Sequence, residues 1–483
     1  MNFHVVKYLC GQVLKFLAAF MVLSLLVALI YREYRSALVF GVVIAGLFGL
    51  GFLLTVRKPA NTSFYAREGI VTVSLSWILI SVFGSLPFYL TGAVTSFIDS
   101  LFETISGFTT TGSSILADVE VMEKGLLFWR SFTHWVGGMG VLMFVMAILP
   151  MSGADPLFMM RAESPGPTTE KLVPKAQQTA KILYTIYISM TFIEIIMLVC
   201  GGMPLYDSVV HSLASAGTGG FSIKNQSIGY YDSVYCEVVI SVFTVLFGIN
   251  FSAYFLLLAK QFKKFLTFEE MLVYFGIIAV SIIIITINLT LNAFGSIWWA
   301  LRHSSFQVST IITTTGFAST NFDLWPTLSK FVLIFLMFIG ACAGSTGGGI
   351  KVSRFIIIFK ALKREAGRIL HPKSVSFIKL DKVPVAEGVV GGTGLFMVIM
   401  LCIYAISVLI VSLDGFDMVT TGSAVAACLN NIGPGLGMVG PMGNYSEFSN
   451  LSKIVLFTDM LIGRLELYPV LLLLSPSLWR MKG

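Results

Sequence analysis

The chain has 483 residues, 56% of them hydrophobic and only 12% charged, with a formal net charge of +7 and a mean hydropathy of +0.86. A soluble domain cannot bury that much apolar surface, so lipid is the solvent that fits and a polytopic membrane protein follows. The six cysteines, Cys10, Cys200, Cys236, Cys342, Cys402 and Cys428, are scattered without CxxC spacing, which argues against a disulfide framework or a zinc site.

A spanning helix needs about 20 apolar residues. Residues 11–30 and 36–55 read as an opening hairpin. Lys7 and Lys15 precede an apolar stretch that reaches Ile30 without a small-residue cleavage site, which favours a retained helix over a signal peptide. A unit of long helix, short re-entrant segment and long helix then recurs. Its parts are 69–92, 96–114 and 126–150, then 180–201, 205–222 and 234–259, then 270–291, 296–319 and 329–363, and finally 386–412, 416–435 and 450–478. The expected fold is all-α, an N-terminal helix hairpin plus four helix–pore loop–helix repeats arranged with pseudo-fourfold symmetry around one pore. The divisions are 1–66 for the hairpin, 67–150 for repeat one, 151–263 for a cytoplasmic loop and repeat two, 264–370 for repeat three, and 371–483 for a second cytoplasmic loop and repeat four.

Basic residues are retained on the cytoplasmic side of a membrane. Arg57, Lys58 and Arg67 share one loop, Arg161, Lys171, Lys175 and Lys181 the next on that side, and Lys260, Lys263 and Lys264 a third; another group lies between Lys351 and Lys382. The opposite loops hold isolated cations such as Arg32, Arg35, Lys124 and Lys224. Both termini and every inter-unit loop are therefore expected inside, and the net charge is topological rather than a sign of nucleic-acid binding.

Each re-entrant segment carries a glycine after small or polar residues: TTTGSS around Gly112, AGTGGF around Gly219, TTTGFA around Gly316 and NNIGPG around Gly433. Non-helical backbone survives at bilayer depth only where it lines water or is buried in protein. Backbone carbonyls in a narrow opening can replace the hydration shell of a cation, and glycine suits backbone that must approach an axis closely. Thr110, Thr111, Thr218, Thr314 and Thr315 can add hydroxyl oxygens or tie the loops down. The competing reading, close helix packing by small residues, does not account for four segments at matching places. One glycine per segment implies a short filter with modest selectivity.

A second feature is ACAGSTGGGI at 341–350, where glycines each costing about 1 kcal/mol in helix propensity should break the second helix of repeat three. Gly347 lies 31 residues beyond Gly316, and Asn250 and Arg464 lie equally far beyond Gly219 and Gly433, so the three should share a depth. An arginine inside a span faces a cavity or a partner. It could instead pair with Glu466 or Asp459, and the glycine run could be only a packing kink. GSTGGGIK lacks the lysine after Gly349 that a phosphate loop requires, so no nucleotide is expected on this chain. Glu103, Arg130, His134 and Glu194 are expected to hold pore elements in register. HExxH and GxSxG are absent from the sequence, and nothing supports an enzyme.

The motifs WRSFTHWVGGMGV at 129–141, AESPGPTTEKLVPK at 162–175, GINFS at 248–252, GSTGGGIKVSR at 344–354, NNIGPGLG at 430–437 and LIGRLELYP at 461–469 carry a resemblance over essentially the whole chain. It resembles the Trk/Ktr/HKT superfamily of potassium transporters, and the opening hairpin and AESPGP loop favour its TrkH type. The resemblance implies a K+ filter of carbonyls from Thr110, Thr111, Gly112 and Ser113; Gly217, Thr218, Gly219 and Gly220; Thr314, Thr315, Gly316 and Phe317; and Asn431, Ile432, Gly433 and Pro434. Four filter glycines go with potassium, and a serine in the first place with sodium. The divergent fourth segment suggests a less regular cage. The resemblance also implies a gate of Gly344, Ser345, Thr346, Gly347, Gly348 and Gly349 with Asn250 and Arg464. It further implies a homodimer in the membrane of a prokaryote, surrounded by membrane lipid, and a soluble nucleotide-binding regulatory ring of the TrkA type. That ring would dock on loop 151–180 or the basic stretch Lys351 to Lys382, although attraction to lipid headgroups explains the basic stretch equally well. K+ is the expected cargo, and no other cofactor is implied. The alternative is a secondary active K+ symporter coupled to H+ or Na+, a class that often shows inverted repeats, whereas these units all run the same way.

Overall fold

The computed structural model describes residues 2–57, 66–140, 176–292, 295–372, 376–473 and 475–476. Helices α1 (Phe3–Ile30) and α2 (Tyr34–Thr55) form the opening hairpin. Asn2 starts it by accepting the Val5 N–H at 3.4 Å. Small residues let the two backbones meet, since a Cβ on Gly51 would lie 2.8 Å from the Gly11 carbonyl. Glu33, in the hairpin turn, accepts the N–H groups of Lys124 and Gly125 at 2.7 and 2.8 Å. It thereby caps a later helix, Lys124–Gly138, whose own N-cap side chain makes no such bond.

After the hairpin come α3 (Ala66–Leu90), the short α4 (Phe97–Phe108) and α5 (Lys124–Gly138). The pattern repeats with α6 (Ala176–Cys200), the short α7 (Leu205–Ala216) and α8 (Val234–Phe247), which continues into α9 (Phe251–Leu258). A small α10 (Phe262–Leu266) leads to α11 (Glu269–Leu291), the short α12 (Ile297–Ile312), and α13 (Thr327–Ile339) with α14 (Val352–Leu370). The hairpin of β1 (Lys379–Leu380) and β2 (Val383–Pro384) precedes α15 (Glu387–Val411), the short α16 (Met418–Leu429), and α17 (Asn450–Arg464) with α18 (Tyr468–Leu473). At 12 to 16 residues the four short helices reach only about 18–24 Å, less than the roughly 30 Å of a hydrocarbon core.

Among the described residues six helices are long and apolar enough to span: Phe3–Ile30, Tyr34–Thr55, Arg67–Leu90, Gln178–Cys200, Glu269–Leu291 and Glu387–Asp414. The second long helix departs from expectation in repeats two and four. Residues 234–259 do not form one span, because α8 turns by 91° into α9 at Gly248–Asn250, where Asn250 Oδ1 accepts the Ser252 N–H and starts a new helix. The 329–363 span is interrupted by the loop between α13 and α14, as the glycine run predicts. The 450–478 span breaks after Arg464, where Glu466 and Leu467 adopt φ of +54° and +67°. In repeat one α5 ends at Gly138; residues 141–150 of the expected span, loop 151–175 and the 162–175 motif lie outside the described residues.

Burial is inverted relative to a soluble protein. Leu38 and Leu53 on α2 and Ile283 and Ile287 on α11 are exposed, whereas Phe102, Phe108, Trp129 and Phe247 around the short helices are buried. Outward apolar faces are stable in lipid, and the interior is left free for polar backbone.

Candidate functional site

The four short helices end in the same way. Thr110, Thr218, Thr314 and Asn431 adopt left-handed φ of +55°, +53°, +59° and +56°. Their N–H groups donate to Gly107, Ser215, Ile311 and Cys428 at 3.1, 2.9, 3.0 and 3.3 Å. The following residues, Thr111, Gly219, Thr315 and Ile432, donate five residues back to Ser106, Ala214, Thr310 and Ala427 at 2.8, 2.9, 2.8 and 2.9 Å. This pair of bonds is a Schellman cap, used here to turn the chain sharply at the end of each short helix. Left-handed non-glycine residues cost about 1–2 kcal/mol each, so the same cost is borne four times at the same place.

The residue after the cap is Gly112, Gly220, Gly316 or Gly433, with φ of +84°, +75°, +81° and +95°. In the second segment the structural equivalent is therefore Gly220, one residue beyond the expected Gly219, and the equivalent stretch is 218–221 rather than 217–220. Gly219 is small for another reason, since a Cβ there would collide with the His134 ring, and one on Gly217 with the His134 carbonyl. The doublet Gly-Phe at 220–221, matching Gly316-Phe317, is the sequence signal that gives this register. The fourth segment is no less regular in backbone than its siblings; its asymmetry lies in Gly433, whose carbonyl accepts hydrogen bonds from Ser113 Oγ at 3.1 Å and Tyr445 Oη at 2.9 Å.

The four glycines meet one another's neighbours in a closed cycle. A Cβ on Gly112 would press into the Gly219 carbonyl, one on Gly220 into the Thr315 carbonyl, and one on Gly316 into the Ile432 carbonyl. One on Gly433 would lie 2.8 Å from the Thr111 carbonyl, so segment four returns to segment one. Three of these approaches leave no space for any side chain, which is the physical requirement for glycine. The hydroxyls mostly tie the loops down: Thr109 pairs with Thr111 at 2.7 Å, Thr313 with Thr315 at 2.8 Å, and Thr310 Oγ1 donates to the Phe317 carbonyl at 3.0 Å. Asn431 Nδ2 bridges Thr111 Oγ1 and the Met460 carbonyl, each at 2.9 Å, and the Pro434 ring packs against Gly316.

Polar side chains brace this ring from behind. Glu103 on α4 accepts from Arg130 Nε at 2.5 Å, Ser114 Oγ at 3.0 Å and Ile115 N at 2.9 Å, and Arg130 reaches the Ser222 carbonyl at 2.9 Å. His134 joins segments one and two, with Nδ1 2.8 Å from the Gly107 carbonyl and Nε2 3.3 Å from the Phe221 N–H. Glu194 on α6 is fully buried and has Ser215 of the short α7 as its polar neighbour, in a geometry looser than that of the other braces. Glu103→Ala would leave Arg130 buried without its counter-ion, so the variant is expected to lose about 3–5 kcal/mol of stability. A lowered melting temperature of the detergent-solubilised protein checks this, and an unchanged value would remove the brace.

Above the ring, Ser113, Ser114, Asn225, Asn444 and Tyr445 line a vestibule that reaches all four glycines. At its rim the Asn225 amide holds the Asp118 carboxyl below its usual range, and a hydrogen bond from Lys224 does the same for Glu120 while raising the lysine. These groups keep their charges at neutral pH.

Beneath the ring lies the loop between α13 and α14. Gly340, Gly344 and Gly349 adopt φ of +69°, +66° and +68°, which fold the loop inward. Gly348 N–H donates to Thr314 Oγ1 at 2.6 Å, Thr346 Oγ1 lies 3.4 Å from Thr218 Oγ1, and a Cβ on Gly348 would lie 2.8 Å from the Asn430 carbonyl. Ser345 Oγ bonds the Cys342 carbonyl at 2.6 Å, and a Cβ on Gly347 would meet Ala341. Asn250 belongs to the same cluster, with its Oδ1 3.0 Å from where a Gly344 Cβ would stand. Arg464 donates to the carbonyls of Thr346 at 2.7 Å, Gly137 at 2.6 Å and Gly138 at 2.7 Å. Glu466 is instead engaged by Arg354, and Asp459 by Ser407. Sequence reasoning missed Lys351, buried at the loop's end, whose Nζ donates to the carbonyls of Gly347 and Gly348. Its place two residues after the last glycine of the run, with only Ile350 between, was the available signal.

Four helix, re-entrant loop, helix units whose loops close one ring inside an apolar shell define a polytopic membrane protein of the transporter class, not an enzyme. Residues 35–481 match the TrkH family, described as a cation transport protein, and the chain belongs to that family. It is 34% identical over 484 residues to the Trk system potassium uptake protein TrkH of Halomonas elongata, covering 99% of this chain and 100% of that protein. The protein of the same name from Escherichia coli K12 is 33% identical with the same coverage. The crystal structure of the potassium transporter TrkH from Vibrio parahaemolyticus superposes with a TM-score of 0.90 at 30% identity, over 99% of this chain and 100% of that one.

Proposed function

We propose that the chain mediates potassium uptake across the cell membrane through a channel-like pore, with the glycine ring as a short carbonyl filter and the loop beneath it as an intramembrane gate. The cyclic contact of Gly112, Gly220, Gly316 and Gly433 with the carbonyls of Gly219, Thr315, Ile432 and Thr111 carries this reading. It concentrates main-chain oxygens from four repeats around one axis, where they can replace the water a cation sheds. The names of the relatives, Trk system potassium uptake proteins, support potassium as the ion.

The distribution of lysine and arginine supports cytoplasmic termini, with the vestibule facing out. A negative cytoplasm then draws the cation inward, by about 2.3 kcal/mol per 100 mV. Arg464 places positive charge beside the loop and opposes a cation until the loop moves. The chain is read as one protomer of a homodimer, regulated by a TrkA-like nucleotide-binding ring on the cytoplasmic loops. The competing reading is a K+ symporter driven by protons or sodium. Purified protein in liposomes tests both: rubidium uptake set by voltage and the potassium gradient alone supports the channel, and an obligatory proton or sodium gradient supports the symporter.

A further inference from the structure

Glu270, the second residue of α11, is only 2% exposed, and its Oε1 accepts two backbone N–H groups, from Ala343 at 2.8 Å and Ser353 at 2.9 Å. Ala343 stands at the start of the loop, just before Gly344, and Ser353 follows its end in the first turn of α14. Neither amide could bond within a helix: one lies in irregular backbone, and the other is among the first donors of α14, which have no partner inside their own helix. A carboxylate also suits a helix N-terminus, where the exposed N–H groups carry partial positive charge. One side chain therefore clasps both ends of a loop whose apex, Thr346 to Gly348, lies under the ring.

The neighbouring residue fixes Glu270 in place. Glu269 N–H donates to Asp381 Oδ1 at 2.7 Å, its Oε2 accepts the Asp381 N–H at 3.4 Å, and its carboxylate pairs with Lys360 of α14. Asp381 and Lys382, with φ of +49° and +68°, form the turn of the β1–β2 hairpin. The start of α11 is thus held on one side by that hairpin, and on the other it holds the loop.

We propose that Glu270 is the positioning residue that sets the resting place of the intramembrane loop by fixing its two ends; this rests on the reading of that loop as a gate. The test is basal rubidium uptake into liposomes by full-length protein and by Glu270→Ala, Glu270→Gln, Arg464→Ala and the Arg464→Ala/Glu270→Ala pair, with the potassium-to-sodium permeability ratio measured on each. Loss of the buried acceptor for two amides should raise basal uptake roughly tenfold in Glu270→Ala. Glu270→Gln, which keeps the shape and one acceptor oxygen, should raise it less. The permeability ratio should stay as in the parent protein, which general misfolding of the pore would not allow. In the Arg464→Ala background, where the loop is already released, removing Glu270 should add little. If Glu270→Ala does not fold, Glu270→Gln decides. Parental or lowered uptake in the folded Glu270 variants while Arg464→Ala raises it overturns the proposal and leaves the gate standing, and so does a changed permeability ratio or full additivity of the two substitutions. Parental uptake in Arg464→Ala overturns the gate reading, and this proposal with it.

Discussion

Gly112→Ser is expected to lower the discrimination between potassium and sodium by roughly tenfold, the equivalent of about 1.4 kcal/mol. Gly112 has φ of +84°, where a residue with a Cβ is strained by about 1–3 kcal/mol. The added atoms would also strike the Gly219 carbonyl, one of the four oxygens that close the ring. Relief requires that carbonyl to retreat or segment one to pull back, and either movement widens the cage. A wider cage selects less sharply against the smaller ion. Reversal potentials in bilayers, or competition of sodium against rubidium uptake in liposomes, measure the change. Gly220→Ser should act in the same direction, because Gly220 stands against the Thr315 carbonyl in the same way. An unaltered permeability ratio in both variants would refute the filter assignment.

Arg464→Ala is expected to raise basal cation flux by roughly tenfold or more. The guanidinium donates to three carbonyls, two at the end of α5 and one in the loop, and bonds to a charged group are each worth about 1.5–3 kcal/mol. Removing it frees Thr346 and takes away the positive charge that opposes a cation below the ring. Selectivity should be preserved, since the carbonyls of Thr346, Gly137 and Gly138 that Arg464 holds are not those that face the four glycines. Arg464→Lys separates the two contributions, because an ammonium keeps the charge without the planar fork that reaches three acceptors. Flux like the parent protein would assign the barrier to charge, and flux like Arg464→Ala would assign it to the tether. Basal flux unaffected by Arg464→Ala would sink the gate.

Much of the architecture was legible because lipid imposes a simple rule on sequence. Apolar runs of spanning length, the short segments between them and the basic loops gave the repeats and the candidate glycines before any coordinate was known. The register of the second segment was less legible: AGTGGF holds three glycines, each excluded from bearing a side chain by a neighbour from another repeat. Gly217 and Gly219 are small because His134 is close, and Gly220 because of the Thr315 carbonyl. Those neighbours belong to other repeats, so local sequence does not rank the three. The break at Glu466 and Leu467 puts positive φ on two residues that are not glycines, with Gly463 three residues earlier as the nearest, and the engagement of Glu466 by Arg354, rather than by Arg464 nearby in sequence, depends on α14 arriving from another repeat.

The sequence by itself determined the solvent, the four re-entrant segments and the glycine-rich break at 341–350, because hydrophobic length and glycine cost are properties of short stretches. Only the tertiary structure decided which carbonyl faces which glycine, that Arg464 bonds main-chain oxygens, and that Glu270 clasps the loop. Each of these joins groups more than 70 residues apart, and such contacts exist only once the repeats have closed around a common axis.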